Sequence, residues 1–274
     1  MADRKLAAGT QPGGDPLECF RLEFPETGVA RVVFDRPPVN AQNRRSRQEL
    51  VWLMDLLSGR DDVSAVVLTG AGRVFSAGAD IKERAGMTGS GEYREHNRLT
   101  REFFYSVTDC AKPVIAAING AAIGAGFALA AGCDILIASE NAYIQMPEID
   151  RGLMGGAKFL DRHLPRSLAR LLFFTGRKLG AAQLLQHGVV AEVVAENRLD
   201  DAAMSIAREI AGKHPRAVQT AKAAFNTAEH MPYRDGYQFE QSVTQQLAGS
   251  DYATESQRAF LEKRPPAYTD SREL

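Results

Sequence analysis

Three short, almost uninterrupted apolar runs constrain the fold of this chain more than any other feature. They lie at residues 63–68, 114–118 and 134–138, and only Ser64 and Asp134 interrupt them. Apolar runs of this length without alternation predict β-strands that are buried on both faces. Helical patterns separate the runs, which is typical of a sheet with helices packed on either side. The sequence therefore predicts an α/β fold.

Further strands and helices are predicted around these runs. Residues 17–34 predict an opening β-hairpin. Residues 44–58 predict a helix capped by Asn43, residues 93–110 an amphipathic helix, and residues 124–132 a helix buried on every side. The apolar residues that form the buried stripe of the 44–58 helix are Leu50, Leu53, Met54 and Leu57.

The last third of the chain contains only helical patterns, at residues 198–213, 217–229, 233–248 and 252–263. Three regions are therefore predicted. Residues 1–16 form a polar tail, residues 17–196 form the α/β core, and residues 197–274 form a helical region.

Charge and cysteine content exclude several function classes. The 274 residues carry 33 Lys and Arg against 34 Asp and Glu, so a net charge of -1 gives no field that would attract nucleic acid or an anionic membrane. The start of the chain lacks the apolar core of a secretory signal, and no apolar run is long enough to span a bilayer. Three cysteines without metal-ligand spacing favour a reducing compartment, so we expect a cytoplasmic protein.

Several familiar catalytic patterns are absent from the sequence. The five histidines are scattered, without the spacing of a metal site. A G-x-S-x-G nucleophile turn is missing, and Gly120, Gly124 and Gly126 do not have the spacing of a dinucleotide fingerprint. The cluster Arg44, Arg45 and Arg47 is too small to indicate RNA binding, and at a helix start it favours a solvated face. We expect neither a metal nor a nucleotide cofactor.

Two turns rich in small residues, at 75–82 and 118–126, are the best candidates for a functional site. Each follows an apolar stretch, and small residues there allow a ligand to approach backbone N–H groups that have no intrahelical partner. Two such donors that converge would form an oxyanion hole. For either turn alone, the alternative is that small residues only let a helix pack closely on the sheet.

The chain from residue 17 onward resembles the crotonase superfamily, the enoyl-CoA hydratase/isomerase family. The resemblance is carried by six motifs in order, at residues 75–83, 112–120, 124–126, 133–134, 147–149 and 259–264. It implies a spiral of repeated β-β-α units with a C-terminal helical region that builds trimers, commonly stacked as hexamers. It also implies an acyl-CoA thioester substrate, with coenzyme A as part of the substrate rather than a separate cofactor.

The resemblance also implies roles for individual residues. The N–H groups of Ala79 and Ala125 would hold the thioester oxygen as an enolate develops. Phe260 and Lys263 would reach the adenine and 3'-phosphate across a subunit interface; otherwise Phe260 is a core residue and Lys263 a solvated charge. The remaining residues expected to line the acyl-CoA path are Ala77, Gly78, Asp80, Ile81, Lys82, Gly124 and Gly156.

The acid–base residues depart from the family pattern. Hydratases of the family hold a water between two glutamates; here Glu148 stands at the second position and Ala128 at the first. Ala128 shares a helix face with Ala125, and its methyl group cannot transfer a proton. Asp150 is the nearest other carboxylate in sequence, and it would share the face of Glu148 only in an extended segment.

The sequence leaves the reaction open. Family naming favours an enoyl-CoA hydratase, whereas a single glutamate favours an isomerase that converts 3-enoyl-CoA to 2-enoyl-CoA. A non-catalytic acyl-CoA-binding protein, whose pocket persists without a carboxylate at Ala128, is the third possibility. For Glu148 itself, the alternative to catalysis is a structural ion pair with Arg151 or Arg162. Aromatic residues within 93–105, 146–159 and 233–239 suit a bulky or ring-bearing acyl group.

Overall fold

The computed structural model describes residues 16–268 of the chain, so the predicted tail lies almost wholly outside the described residues. Twelve strands are present in this part: β1 Phe20–Glu26, β2 Gly28–Phe34, β3 Ala41–Gln42, β4 Val63–Gly70, β5 Val74–Ser76, β6 Gly78–Ala79, β7 Val114–Ile118, β8 Ala121–Ile123, β9 Ile135–Ser139, β10 Tyr143–Gln145, β11 Lys178–Gly180 and β12 Glu192–Val194.

Helices connect these strands and form most of the C-terminal third. Within residues 16–268 they are α1 Arg44–Ser58, α2 Ile81–Ala85, α3 Ser90–Asp109, α4 Ala125–Ala131, α5 Ala157–His163, α6 Arg166–Thr175, α7 Ala181–Gln186, α8 Leu199–Ala211, α9 Pro215–Ala228, α10 Tyr233–Ala248 and α11 Asp251–Leu261. Two short 3-10 helices lie at Pro147–Arg151 and Glu196–Arg198.

The chain repeats one strand–strand–helix unit three times. β4, β7 and β9 are parallel neighbours in a six-stranded sheet of order β1-β2-β4-β7-β9-β12. The strand that follows each of them, β5, β8 or β10, enters a second sheet of order β11-β10-β8-β5, and helical segments follow in turn. Strands thus alternate between two sheets as the chain advances. This arrangement confirms the α/β prediction and the implied spiral of β-β-α units.

The apolar runs are buried on both faces, as predicted. In β4, Val66 and Leu68 belong to the larger hydrophobic core, whereas Ala65 and Val67 face a second core on the other side of the sheet. β7 divides its residues in the same alternating way. Alternation follows from the two-residue period of a strand, so each face requires its own cover. Helix α8 provides the cover on the second face.

Helix α1 begins and ends where the sequence predicts. Asn43 Oδ1 accepts the Ser46 N–H at 2.9 Å and Ser46 Oγ accepts the Asn43 N–H at 3.0 Å, which satisfies two otherwise unpaired donors. The four predicted stripe residues are fully buried. Helix α3 begins at Ser90, earlier than predicted, because Glu92 accepts the Gly89 N–H and closes the first turn.

The C-terminal helices differ in what they pack against. Helix α8 lies on the six-stranded sheet, through Leu199, Ala203, Met204 and Ala207. Helices α9 and α10 pack against each other, and α11 follows as the last element. The helical character of the last third is as predicted, and the boundary at residue 196 stays a prediction. No helix in the described part of the chain combines the length and hydropathy needed to cross a membrane.

Candidate active site

The two predicted turns meet through Gly78, which has a φ of +83°. A Cβ atom at this position would lie 2.5 Å from the Ile123 carbonyl oxygen and 3.2 Å from the Ala125 nitrogen. Only glycine allows the turn after β5 to approach the start of α4 this closely. The structure therefore places the residues flanking Ala79 beside the first residue of α4.

The backbone N–H groups of Ala79 and Ala125 are both oriented away from their own secondary structure. The Asp80 N–H donates to the Gln42 carbonyl at 2.9 Å, and because consecutive amides alternate along a strand, the Ala79 amide faces the opposite edge. Ala125 is the first residue of α4, so its N–H has no intrahelical acceptor. Both residues line one cavity.

Gln42 is hydrogen-bonded to the first residue of α4. Its fully buried side chain donates from Nε2 to the Ala125 carbonyl oxygen at 2.9 Å. The same residue accepts the Asp80 N–H through its backbone, so it is bonded to both turns. One residue of β3 thereby fixes the relative position of the two candidate donors.

The cavity has a volume of about 710 Å³ and lies between these turns and helix α3. The turn residues form one wall of the cavity, and the segment after β10 forms the second. One face of α3 forms the third wall. The lining residues from the two turns and from the segment after β10 are Ala77, Gly78, Ala79, Ile81, Ala85, Ile123, Gly124, Ala125, Ala128, Pro147, Glu148, Arg151, Leu153, Met154, Gly155 and Gly156.

Glu148 is the only carboxylate within residues 16–268 that lines this cavity. It lies in the 3-10 helix Pro147–Arg151, which its own carbonyl closes by accepting the Leu153 N–H at 3.0 Å. A Cβ atom at Gly124 would overlap Oε1 of Glu148. The second turn therefore needs a glycine to leave room for this carboxylate.

The surroundings of Glu148 and Asp150 bear on the alternative roles predicted for these two carboxylates. Arg162 pairs with Glu229 at 2.7 Å, so it is engaged elsewhere. Asp150 is exposed and directed toward Gly176, where a Cβ atom would lie 2.8 Å from its Oδ2. Because the segment is a 3-10 helix, Asp150 does not share the face of Glu148. Ala128 lines the cavity with its methyl group and is only 1% exposed.

A family model described as enoyl-CoA hydratase/isomerase matches residues 25–271. The two turns, the cavity and Glu148 agree with this match. The chain belongs to this family. It is therefore an acyl-CoA enzyme of the hydratase/isomerase family, as the sequence motifs implied.

Relatives within the family have different names. A protein of Mycobacterium tuberculosis named (7aS)-7a-methyl-1,5-dioxo-2,3,5,6,7,7a-hexahydro-1H-indene-carboxyl-CoA hydrolase is 39% identical over 87% of this chain and 97% of its own. The short-chain-enoyl-CoA hydratase of Clostridium acetobutylicum is 35% identical over 87% of this chain and 93% of its own. The enoyl-CoA hydratase structure from Bacillus anthracis has a TM-score of 0.87 at 31% identity, covering 92% and 99%.

Not every residue predicted for the acyl-CoA path lines the cavity. Asp80 instead pairs with Arg36 at 2.9 Å and accepts the Lys82 N–H at 3.0 Å, so it caps α2. Lys82 is exposed outside the lining. Phe260 is 83% exposed and Lys263 is also exposed, both on the C-terminal segment, away from the lining of this chain's cavity.

The prediction of a solvated face for Arg47 is wrong. Arg44 and Arg45 are more exposed, but Arg47 is 1% exposed and lines the cavity. Burial lowers its pKa, and the adjacent Glu83 carboxylate opposes that shift. The sequence contained the signal, since Arg47 lies one helical turn before Leu50 on the buried stripe of α1.

Helix α3 supplies further lining residues that sequence reasoning did not single out. Tyr93, His96, Asn97, Thr100 and Phe104 recur at helical spacing and form one face toward the cavity. The segment 93–105 was expected near the acyl group, and it does form this wall. Residues 233–239 of α10 contribute nothing to the lining of this cavity.

Proposed function

We propose that this protein hydrolyses a ring carbon–carbon bond in a ketone-bearing acyl-CoA thioester, with Glu148 as its single acid–base residue. The observation that carries the proposal is one carboxylate sharing a cavity with two outward-facing backbone donors and with the methyl group of Ala128. Two relatives at 39% and 37% identity, from Mycobacterium tuberculosis and Rhodococcus jostii, are named as hydrolases of a dioxo bicyclic acyl-CoA.

The thioester oxygen would accept hydrogen bonds from the N–H groups of Ala79 and Ala125. Both donors are fixed before reaction by Gln42 and by the close contact at Gly78. They would stabilise the enolate more strongly than the neutral carbonyl, because negative charge collects on the oxygen in the transition state. Loss of one such donor typically costs about 3 kcal/mol of transition-state stabilisation.

A ketone β to the thioester makes hydrolysis possible with one carboxylate. Glu148 would accept a proton from water as the water oxygen bonds to the ketone carbon. The bond from that carbon to the α-carbon then breaks, and its electron pair moves into the thioester enolate held by Ala79 and Ala125. Glu148 returns the proton to the α-carbon. The ring is opened to a carboxylic acid, and CoA stays attached.

Isomerisation of 3-enoyl-CoA to 2-enoyl-CoA is the second candidate. A single base can remove a proton from C2 and return it at C4, so Glu148 alone also fits this reaction. Hydration by a glutamate pair fits less well, because Ala128 offers no carboxylate where the family pattern places one. The three reactions share the same enolate and differ in what reacts with it.

The remaining predicted contacts complete the proposal for binding. Ala77, Gly78, Ile81, Gly124 and Gly156 line the cavity and would contact the pantetheine arm and thioester. We propose that Phe260 and Lys263 reach the adenine end of CoA bound to a neighbouring subunit. Their exposure in one chain agrees with such a role. The proposal thus includes a homotrimer or a hexamer.

The test incubates the protein in deuterated water with three thioesters: the dioxo indene-carboxyl-CoA, a 2-enoyl-CoA and a 3-enoyl-CoA. Mass spectrometry is expected to show the first converted to a product heavier by the elements of water, with CoA attached and deuterium on the α-carbon. Released CoA would indicate thioester hydrolysis and contradict the proposed bond. Double-bond migration without ring opening would establish the isomerase instead.

A Glu148→Gln variant is expected to lose turnover of the ring-opening substrate while its affinity for the CoA ester changes little. The amide keeps the size of the side chain but cannot accept the proton from water. The matched control is Asp150→Asn, which removes a carboxylate two residues away that does not line the cavity. Unchanged kcat in Glu148→Gln would remove this residue from the mechanism.

A further inference from the structure

Arg151 is an exposed cation in the wall of the candidate active-site cavity, three residues after Glu148. Among the side chains that the structure describes, the charged ones in this wall are Arg47, Glu148 and Arg151. Arg47 is only 1% exposed, and Glu83 compensates its charge at 3.1 Å. Arg151, by contrast, is a cation that a bound anion can reach.

The 3-10 helix Pro147–Arg151 places Arg151 on the same face as Glu148. Side chains three residues apart eclipse each other in such a helix, and its rise separates them by about 6 Å along the axis. The helix is fixed by the Leu153 N–H, which donates to the Glu148 carbonyl at 3.0 Å, and it ends at Gly152 with a φ of +63°. A substrate atom next to the Glu148 carboxylate is therefore within reach of the longer Arg151 side chain.

No carboxylate in the described part of the chain forms an ion pair with the Arg151 guanidinium. The adjacent Asp150 is directed toward Gly176. The structural ion pair that is the alternative role of Glu148 is thus not formed with Arg151. An exposed guanidinium whose charge the protein does not compensate keeps its fork of N–H donors for a ligand.

The proposed ring opening creates negative charge on two different oxygens in turn. When the water oxygen bonds to the ketone carbon, the ketone oxygen becomes an oxyanion and Glu148 takes the proton from the water. When the ring bond breaks, that oxyanion forms a carbon–oxygen double bond again, and the electron pair of the broken bond passes into the thioester enolate. The N–H groups of Ala79 and Ala125 are assigned to the thioester oxygen, so the first oxyanion needs a donor of its own.

A guanidinium suits both the first oxyanion and the product of the reaction. Its parallel N–H groups match two oxygens on one carbon, which is the arrangement in the tetrahedral intermediate and in the new carboxyl group. It also stays charged and accepts no proton, so it does not compete with Glu148 for the proton of the water. Isomerisation of a 3-enoyl thioester puts charge only on the thioester oxygen and has no use for this cation.

We propose that Arg151 is a catalytic residue that donates hydrogen bonds to the ketone oxygen of the substrate as it becomes an oxyanion, and then to the carboxylate of the ring-opened product. This inference rests on the proposed function and adds a second anion site to the two backbone donors. Arg151 makes the site selective for thioesters whose product carries a free carboxylate besides the thioester.

The first experiment measures ring opening of the dioxo indene-carboxyl-CoA by the parent and by Arg151→Met. We expect kcat to fall about 100-fold with little change in KM, because the lost donor acts on charge that develops in the transition state. Arg151→Lys retains the cation and is expected to recover part of the rate. The matched control is Arg166→Met, which removes an exposed arginine of α6 outside the cavity lining and is expected to keep the parent's kcat.

The second experiment measures recognition of the product carboxylate by calorimetry, without turnover. Heptanedioyl-CoA represents the product, since an opened cyclohexanone ring carries the thioester at one end and a carboxylate at the other, and heptanoyl-CoA is the same chain ending in a methyl group. The parent is expected to prefer heptanedioyl-CoA about tenfold, the size of a hydrogen bond between charged groups near solvent. Arg151→Met is expected to lose this preference, and Arg166→Met to keep it.

The outcomes distinguish this inference from the proposed function. A parent that opens the ring, together with unchanged kcat in Arg151→Met, overturns the role of Arg151 and leaves the proposed function standing. An equal loss of affinity for both probes in Arg151→Met places the arginine at the CoA phosphates and also overturns the inference. A parent that opens no ring contradicts the proposed function, and the inference falls with it. Loss of kcat and of the carboxylate preference in Arg151→Met, with both retained in Arg166→Met, supports the inference.

Discussion

At the scale of single residues, the candidate active site depends on positions where a side chain is absent. Gly78 lets the two turns meet, and Gly124 leaves space for the Glu148 carboxylate. Ala128 presents only a methyl group to the cavity. What the site can do therefore follows as much from small residues as from Glu148.

Substitution of Gly124 by alanine is expected to impair activity far more than stability. The new Cβ would overlap Oε1 of Glu148 and displace the carboxylate, in addition to the cost of φ at +54°. The strain itself is about 1 to 3 kcal/mol for a non-glycine residue in such a sparsely populated backbone region. We expect kcat to fall at least tenfold while thermal unfolding shifts by a few degrees.

Gly188→Ala is the matched control for this prediction. Gly188 has a φ of +70°, but a Cβ atom there meets nothing within 4 Å. It therefore introduces a non-glycine residue at positive φ without the collision at the site. Similar kcat values in the two variants would show that Glu148 is not displaced as described.

At the scale of elements, buried polar contacts attach the C-terminal helices to the core. Lys222 of α9 pairs with Asp134 at 2.8 Å and donates to the carbonyl oxygens of Val107 and Lys112 at 3.3 and 3.0 Å. These acceptors lie at the end of α3 and in the connections flanking β7 and β9. One ammonium group thus joins α9 to the core.

Lys222→Met is expected to destabilise the protein by about 3 kcal/mol, because it leaves a carboxylate and two carbonyl groups without their buried donor. Lys213→Met is the control, since Lys213 is an exposed lysine just before α9. Chemical denaturation measures both free energies of unfolding. Equal values for the two variants would contradict an anchoring role for Lys222.

A carboxylate on α11 gives a prediction about pH. Hydrogen bonds from Arg264 and from the Ala267 N–H hold the pKa of Glu255 at about 2, below its ordinary value of 4.5. A lowered pKa in the folded state contributes stability above pH 4.5 and loses it as pH falls toward 2. The difference in melting temperature between the parent and Glu255→Gln is therefore expected to be constant above about pH 5 and to shrink at lower pH.

Glu262→Gln serves as the comparison for Glu255. It removes a second carboxylate bonded to Arg264, at 2.6 Å, but leaves the Ala267 N–H with its acceptor. A melting-temperature difference for Glu255→Gln that persists unchanged at pH 2 would contradict the assigned cause.

Local patterns predicted the elements better than the site. Helix α1 and strand β7 have the predicted bounds because caps, glycine and proline mark their ends in the sequence. The small residues of the two turns indicate a candidate site, but the roles of Ala79, Ala125 and Glu148 are implied only by the family motifs. The charge of Arg47 predicts a surface position, whereas its phase on the apolar stripe of α1 predicts burial. Its burial depends on Glu83 and Gln42, which only the folded chain brings together.

At the scale of the whole molecule, large apolar side chains remain exposed on the C-terminal helices. They include Phe225 at 76%, Phe260 at 83% and Leu261 at 79% exposure. Apolar exposure on this scale is typical of surfaces that contact another chain. The expected trimer or hexamer would cover part of it and place the Phe260 segment near a second subunit.

Sedimentation velocity is expected to find a trimer or a hexamer. Phe225→Asp should shift the distribution toward monomer, because a charge would have to be buried in the interface. Thr227→Asp, at an exposed position on the same helix, should have a smaller effect. A monomeric parent protein would contradict both the assembly and the shared CoA site.

The packing of α8 on the six-stranded sheet also affects how the chain folds while it is being synthesised. Strands β4 and β7 leave the ribosome well before Leu199–Ala211, and until then the face that carries Ala65, Val67 and Ile115 lacks the apolar cover of α8. These contacts join residues far apart in sequence, which slows folding and leaves apolar surface open to aggregation. Although every residue assigned to the catalytic step lies before residue 152, their scaffold is completed only after α8 has been translated.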